Sequence, residues 1–271
     1  MAQRAHRRKV AAKGQRLNTS FAAPAEAALV VPVRWVKFVV GLFLLPLCYI
    51  LTAAFFSALL DALTSQAPGR PHFWATAEFW FFSLGLVCWL IACFGLPKPL
   101  IVYVYGHELT HAITVKLMGG RVSDFSVSRD GGYIVSSKIN TWIALAPYFV
   151  PIYSVGVILL YGLVSLLYDL QPHAELATGI LYGLLGFTWA FHATFTLSMI
   201  PRGQTDLAYG GTFFSLTIIY LMNLLVLSLL LILATPYVSF RSFGRELLAH
   251  AAIFASEAIR FLELMIRAAG F

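Results

Sequence analysis

The chain has 271 residues, 59% hydrophobic and 11% charged, where an ordinary soluble domain is about a quarter charged. This composition excludes a water-soluble globule, and the apolar residues arrive in runs longer than a soluble core helix needs. The net charge of +7 is concentrated at the start, where the first 37 residues hold eight Lys and Arg against one Glu.

Arg4, Arg7, Arg8, Lys9, Lys13 and Arg16 give residues 1–34 the character of a disordered basic tail. Beside a membrane span such a tail favours the cytoplasmic side and anionic lipid. Nucleic-acid binding is not expected, because no aromatic interleaving or folded basic surface accompanies the run. The tail lacks the apolar centre and cleavage site of a secretory signal peptide, so the expected location is a bacterial cytoplasmic membrane, with an organellar membrane as the alternative.

Residues 35–235 contain six stretches long enough to cross about 30 Å of hydrocarbon at about 1.5 Å per residue. The first, 38–60, has no Asp, Glu, Lys or Arg, and the second, 73–96, has only Glu78. Pro97 and Pro99 then force a break before the third, 99–118, which carries His107, Glu108 and His111 at membrane depth. Gly119 and Gly120 suit the left-handed closure of a helix C-terminus. Residues 121–138 turn polar and β-branched: Phe125 and Val127 alternate with Asp124, Ser126 and Ser128, and Asp130, Gly131 and Gly132 mark a turn before Tyr133, Ile134 and Val135. The pattern predicts a small β-hairpin.

The fourth span, 141–168, contains Pro147 and Pro151, which remove backbone donors and predict a kink or local opening. The fifth, 176–200, holds His192; a short loop, 201–205, leads to Asp206 at the mouth of the sixth, 207–235. Residues 236–271 place Leu247, Ala251, Phe254, Ala258 and Phe261 at helical spacing, opposite Glu246, Glu257, Arg260 and Arg267. This predicts an amphipathic helix on the membrane or on the bundle. The expected architecture is an all-α polytopic membrane protein, with the hairpin and the C-terminal helix appended to about six spans. Cys48, Cys88 and Cys93 fit neither a zinc ribbon nor a redox pair and read as small core residues.

His107, Glu108, Leu109, Thr110 and His111 spell H-E-x-x-H. Positions four apart share one face of a helix, so both imidazoles can reach one metal ion while Glu108 points to the adjacent edge, where a water would sit. With seven His and seven Glu in the chain, chance supplies this pattern in about one such chain in two hundred. Ionisable groups at this depth cost several kcal/mol unless paired or coordinated. The bland alternative is hydrogen bonding between helices.

Zinc needs a third protein ligand and an open position. Asp206 is the first candidate, the only carboxylate between Glu175 and Glu246; otherwise it is an N-cap or an anion favoured by the helix dipole. His192 is the second candidate, and otherwise a hydrogen-bonding, oxyanion-stabilising or core histidine. Asp124, Asp130 and Asp169 read as loop residues.

The stretch from Gly106 to Val122, GHELTHAITVKLMGGRV, resembles the catalytic helix of the site-2 protease (M50) family of intramembrane zinc metallopeptidases. The likeness covers about residues 99–140. It implies His107 and His111 as zinc ligands, Glu108 as general base, and the hairpin as a substrate-binding element. The family's second motif is typically Asn-Pro followed by Leu-Asp-Gly, whereas this chain has Gln204, Thr205, Asp206 and Leu207 with no Asn-Pro before them. No PDZ-like domain is expected from residues 1–271.

The expected function is hydrolysis of peptide bonds in membrane-protein or peptide substrates, with Zn2+ as cofactor and the lipid bilayer as surroundings. The alternative is a non-catalytic transporter or regulatory scaffold with a polar or metal-binding site. Counted as six crossings from a cytoplasmic tail, the third span runs outward and leaves the hairpin and Asp206 outside, whereas the resemblance implies a metal nearer the cytosol.

Overall fold

A computed structural model describes residues 32–64, 72–129, 131–202, 205–235 and 237–269. The basic tail, most of the polar loop before the second span, Asp130, Gln204 and Pro236 lie outside the described residues. The chain divides into two units after Val36. The first contributes only residues 32–36 to the described part, and the second, Lys37–Phe271, holds the helical bundle.

The described residues form nine α-helices and one hairpin. Helix α1 is Val33–Thr64, α2 Ala77–Gly95 and α3 Leu100–Leu117. Strands β1 (Val122–Ser128) and β2 (Gly131–Ser136) pair antiparallel, with Ser128 opposite Gly131 and Phe125 opposite Ile134. Helices α4 (Thr141–Leu145) and α5 (Ile152–Leu167) are separated by a 3-10 turn, Ala146–Tyr148. Then come α6 (Ala174–Met199), α7 (Thr205–Gly210), α8 (Thr212–Ala234) and α9 (Phe240–Ala268).

Four helices are long and apolar enough to cross a membrane: α1, α2, α8, and α6 with the turn before it. A fifth crossing is available if the pair 141–148 and 152–167, bent by 79°, counts as one span. Helix α3, expected as a span, does not meet that test among the described residues, because the motif and Lys116 dilute its apolar character. The predicted break at Pro147 and Pro151 is present as this bend. The expected sixth span, in contrast, is divided: Gly211, at φ +84, turns the chain between α7 and α8. The outward surface is what a bilayer requires, with Phe43, Phe94 and Leu166 each about 80% exposed or more.

The hairpin matches the expected pattern. At the end of α3, Gly119 at φ +72 closes the helix, its N–H donating to the Lys116 carbonyl while the Gly120 N–H reaches that of Val115. These are the two bonds of a Schellman cap. Asp124, expected in a loop, lies in β1 and accepts from the Tyr133 hydroxyl at 3.2 Å. Asp169 is in the loop after α5 and accepts from the Gln171 N–H. Of the cysteines expected in the core, Cys48 is buried, Cys93 partly so, and Cys88 is exposed on the outer face of α2.

Helix pairing orders the bundle. Phe38 meets Phe213 and Thr52 meets Tyr220, so α1 and α8 run parallel and begin at the same end. Gly179 sits against Phe81, and Trp89 against Phe191 and Phe195, so α2 and α6 also run parallel. Their crossing is made of backbone: a methyl on Gly85 would lie 1.9 Å from the Gly183 carbonyl oxygen, and one on Gly186 2.0 Å from that of Phe82. Helix α9 folds back along α1 rather than away from the bundle. Phe243 joins the cluster around Ala58 and Ala62, His250 bonds Ser57 at 2.9 Å, and Phe254 meets Tyr49.

The α2–α6 crossing gives a stability prediction. Gly186→Ala should lower unfolding stability in detergent by about 1–3 kcal/mol through overpacking, because backbone cannot yield as a side chain does. Gly156→Ala, whose added methyl meets nothing within 4 Å, should leave stability unchanged or slightly raised. Equal effects at the two sites would contradict the close crossing.

Candidate metal centre

Three side chains from two distant segments converge at one end of the bundle. His107 and His111 lie one turn apart on α3, with ring centroids 4.8 Å apart and planes nearly perpendicular. The expected third residue, Asp206, enters from α7. Its Oδ2 lies 3.2 Å from His107 Nε2 and 3.4 Å from His111 Nε2, while the two Nε2 atoms are 3.2 Å apart. This cluster could hold a metal ion. His192 does not join it.

The electrostatics of the cluster favour a cation. His111 Nδ1 lies 2.7 Å from the Ile143 carbonyl oxygen, which can only accept, so Nδ1 carries the proton. His111 Nε2 then faces a carboxylate oxygen in a buried setting. A proton on Nε2 or a metal ion held between the two atoms would reconcile them, and an ion would also take up His107 Nε2.

Asp206 is set in position by its surroundings. The Tyr148 hydroxyl donates to Asp206 Oδ2 at 3.2 Å; Tyr148 is fully buried, and its own carbonyl accepts from Asn223 Nδ2 at 2.9 Å. The Leu207 carbonyl accepts from the buried Ser215 hydroxyl, and the Lys37 ammonium lies 4.7 Å above the Tyr209 ring. The N-cap alternative for Asp206 fails, since it is the second residue of its helix and its carboxylate turns to the imidazoles. On α3, Tyr103 stacks on Phe195 with centroids 4.7 Å apart, and its hydroxyl reaches His107 Nδ1 at 3.4 Å.

Glu108 is buried beside the two imidazoles and packs under the hairpin. A methyl on Gly132 would sit 2.5 Å from Glu108 Cγ and 2.8 Å from Val104 Cγ1. The bare backbone of β2 is therefore what leaves room for the acid.

Tyr148, the Ile143 carbonyl and Gly132 are contributions the sequence did not announce, since each is set by a long-range contact. Tyr103 carried a weak signal, being four residues before His107 on the same helix face. No family model, curated protein or solved structure matches the chain.

The geometry ranks the contributions to metal affinity. Asp206→Ala should abolish tight binding. Tyr148→Phe, which removes only the hydrogen bond to Asp206, should weaken it by about 10–100-fold. Competition with a chelator of known affinity measures both; a Tyr148→Phe effect as large as that of Asp206→Ala would overturn the ranking.

Proposed function

We propose that this chain is an intramembrane zinc metallopeptidase of the site-2 protease type. The observation that carries this reading is the triangle of His107 Nε2, His111 Nε2 and Asp206 Oδ2, with edges of 3.2, 3.2 and 3.4 Å. A tetrahedral ion with bonds of about 2.0–2.1 Å sets its ligand atoms about 3.3–3.4 Å apart. Two imidazoles and one carboxylate match the donor preferences of zinc and leave one position open, as a catalytic rather than a structural site requires.

When bound, zinc would supply Lewis acidity toward a water and toward the oxygen of a carbonyl. The chain's own residues supply the rest. Glu108 is the general base: it takes a proton from the water as the water oxygen bonds to the carbonyl carbon of the scissile peptide group. The same carboxyl returns the proton to the nitrogen as the C–N bond breaks, leaving a carboxylic acid and an amine. Tyr148 and the Ile143 carbonyl hold Asp206 and His111 in orientation through this sequence.

A helical substrate hides its carbonyls and must unwind to be cut. The hairpin packs on Glu108 through Gly132, and among the described residues its sheet has only these two strands, which supports an extended chain as the form in which substrate reaches the acid.

Two experiments separate binding from chemistry. Glu108→Gln should lower cleavage of an unfolded, fluorescently labelled protein by about 10²–10⁴-fold while about one zinc per chain remains by elemental analysis; His111→Ala should lose both. Undiminished cleavage by Glu108→Gln, or a wild-type chain purified gently without zinc, would refute the proposal. Gly132→Ala should reduce kcat with zinc retained, because the added methyl displaces Glu108 without touching the ligands.

A further inference from the structure

Helix α9 returns along α1 in the opposite direction. Phe243 packs in the cluster that holds Ala58 and Ala62, His250 Nε2 lies 2.9 Å from the Ser57 hydroxyl, and Phe254 meets Tyr49 with ring centroids 5.8 Å apart. Between Lys37 and Asp61, α1 carries no charged residue, and the middle of that run is Tyr49. With α1 as a crossing, Phe254 therefore lies close to the middle of the bilayer. Fourteen residues of α9 follow it, about 21 Å of helix, against about 15 Å from the middle of the hydrocarbon to its edge. Continuing in the same direction, α9 stays at hydrocarbon depth for most of that length.

This half of α9 is not covered by the bundle. Residues 255–269 are exposed apart from the half-buried Ala258, and the paired side chains of Arg260 and Glu257, 3.0 Å apart, are 72% and 62% exposed. Ser256, Arg260, Glu263 and Arg267 follow one another at intervals of four, three and four, the spacing of a seam between two helices. Glu257 flanks that seam, while Phe254, Ala258, Phe261 and Met265 continue the line that meets α1. An ionised side chain turned toward lipid is costly, and within membranes such groups face protein or water instead. The signs identify the neighbour. They alternate along the helix: Glu257 negative, Arg260 positive, Glu263 negative, Arg267 positive. A two-fold axis along the membrane normal sets a second α9 parallel to the first, and every contact across it is made twice. Glu and Arg side chains reach a turn up or down, about 5 Å along the axis. Across the pair, Glu257 then meets Arg260, Arg260 meets Glu263, and Glu263 meets Arg267, each time with opposite charge. A stripe of one sign would need a different protein; this one complements itself.

We infer that the polar face of α9 from Ser256 to Arg267 is the interface through which two copies of this chain pair within the membrane. The first half of α9 is anchored on its own α1, and the second half carries the contact to the other copy. The pairing is independent of the chemistry at the metal centre.

The test uses the purified full chain, its three native cysteines replaced by alanine, in phosphatidylcholine vesicles at a protein-to-lipid ratio low enough to make chance encounters rare. One new cysteine is placed on the seam, Ser256→Cys, or one residue back and turned off it, Ala255→Cys. Oxidation followed by non-reducing electrophoresis reads the covalent dimer. Most of the Ser256→Cys chain should cross-link, and Ala255→Cys about tenfold less. Adding Arg260→Glu, which leaves three successive acids, should lower the Ser256→Cys dimer about tenfold. Reversing all four signs together, Glu257→Arg, Arg260→Glu, Glu263→Arg and Arg267→Glu, keeps the alternation and should restore the dimer to within about threefold. This last variant separates pairing from folding. The inference is overturned if Ala255→Cys cross-links as well as Ser256→Cys, if Arg260→Glu leaves the dimer intact, or if the four-fold reversal fails to restore it. A chain that stays monomeric with Ser256→Cys would overturn it too, and would assign this face to a different protein.

Discussion

A carboxylate oxygen held 3.4 Å from the Nε2 of a buried imidazole is the constraint on which the rest of this structure turns. Burying these groups is costly unless a proton or a metal ion lies between them. Yet the fold devotes several features to maintaining it. Helix α7 is a separate short piece rather than the first turn of α8, so that Asp206 can turn inward; Gly211 supplies the bend, and Ser215 anchors the carbonyl next to the aspartate. Tyr148 is wholly buried to reach the same carboxylate. A buried cluster of two imidazoles and a carboxylate braced in this way could hold a cation.

Helix directions explain where in the bilayer such a cluster can be tolerated. Helices α1 and α8 begin together and α2 and α6 finish together, and Ile200, just past α6, packs in the same cluster as Leu44 and Phe214, which places both at one end of the bundle. If these helices cross, an even number of crossings separates the start of α1 from the start of α8. Helices α1, α2 and α6 supply three, so only one of α3 and the bent α4–α5 pair completes the set. Tyr103 and His107 of α3 lie beside Phe195 and Asp206, both at the end where α6 finishes, whereas α5 continues back along α6 from the Ser154–Thr188 contact. It is therefore α3 that stays near one end. On this path the motif, the hairpin and Lys37 share that end.

The parts of this structure legible in the sequence are those fixed by local pattern. Uninterrupted apolar runs specify the long helices, the alternation around Phe125 and the glycines after Asp130 specify the hairpin, and Pro147 and Pro151 mark the bend. The four-residue spacing of His107 and His111 is enough to put both imidazoles on one side of one helix. Asp206 is found by elimination, because an apolar chain leaves few carboxylates to choose from, even without an Asn-Pro motif before it. What the sequence conceals is decided by contacts between segments. Nothing local distinguishes Tyr148 from the other tyrosines, or marks Gly132 as the residue lying against Glu108. The length of α3 suits a span, but His107, Glu108, His111 and Lys116 lower its apolar character below that of the other long helices.

The motif helix is clasped on two faces by contacts in which an added methyl would have to displace a side chain. On one side Gly106 lies beneath the Tyr153 ring; on the other Glu108 lies beneath the bare backbone of Gly132. Long side chains in a membrane bundle have many rotamers and no hydrophobic gradient to choose among them, since lipid is as apolar as the interior. Close backbone approach replaces that missing preference with steric exclusion, leaving the buried acid and the two imidazoles little freedom to leave their arrangement. The two glycines thus do for the orientation of the site what Tyr148 and the Ile143 carbonyl do for its charge: the former limit where the groups can lie, and the latter determine which atoms they present.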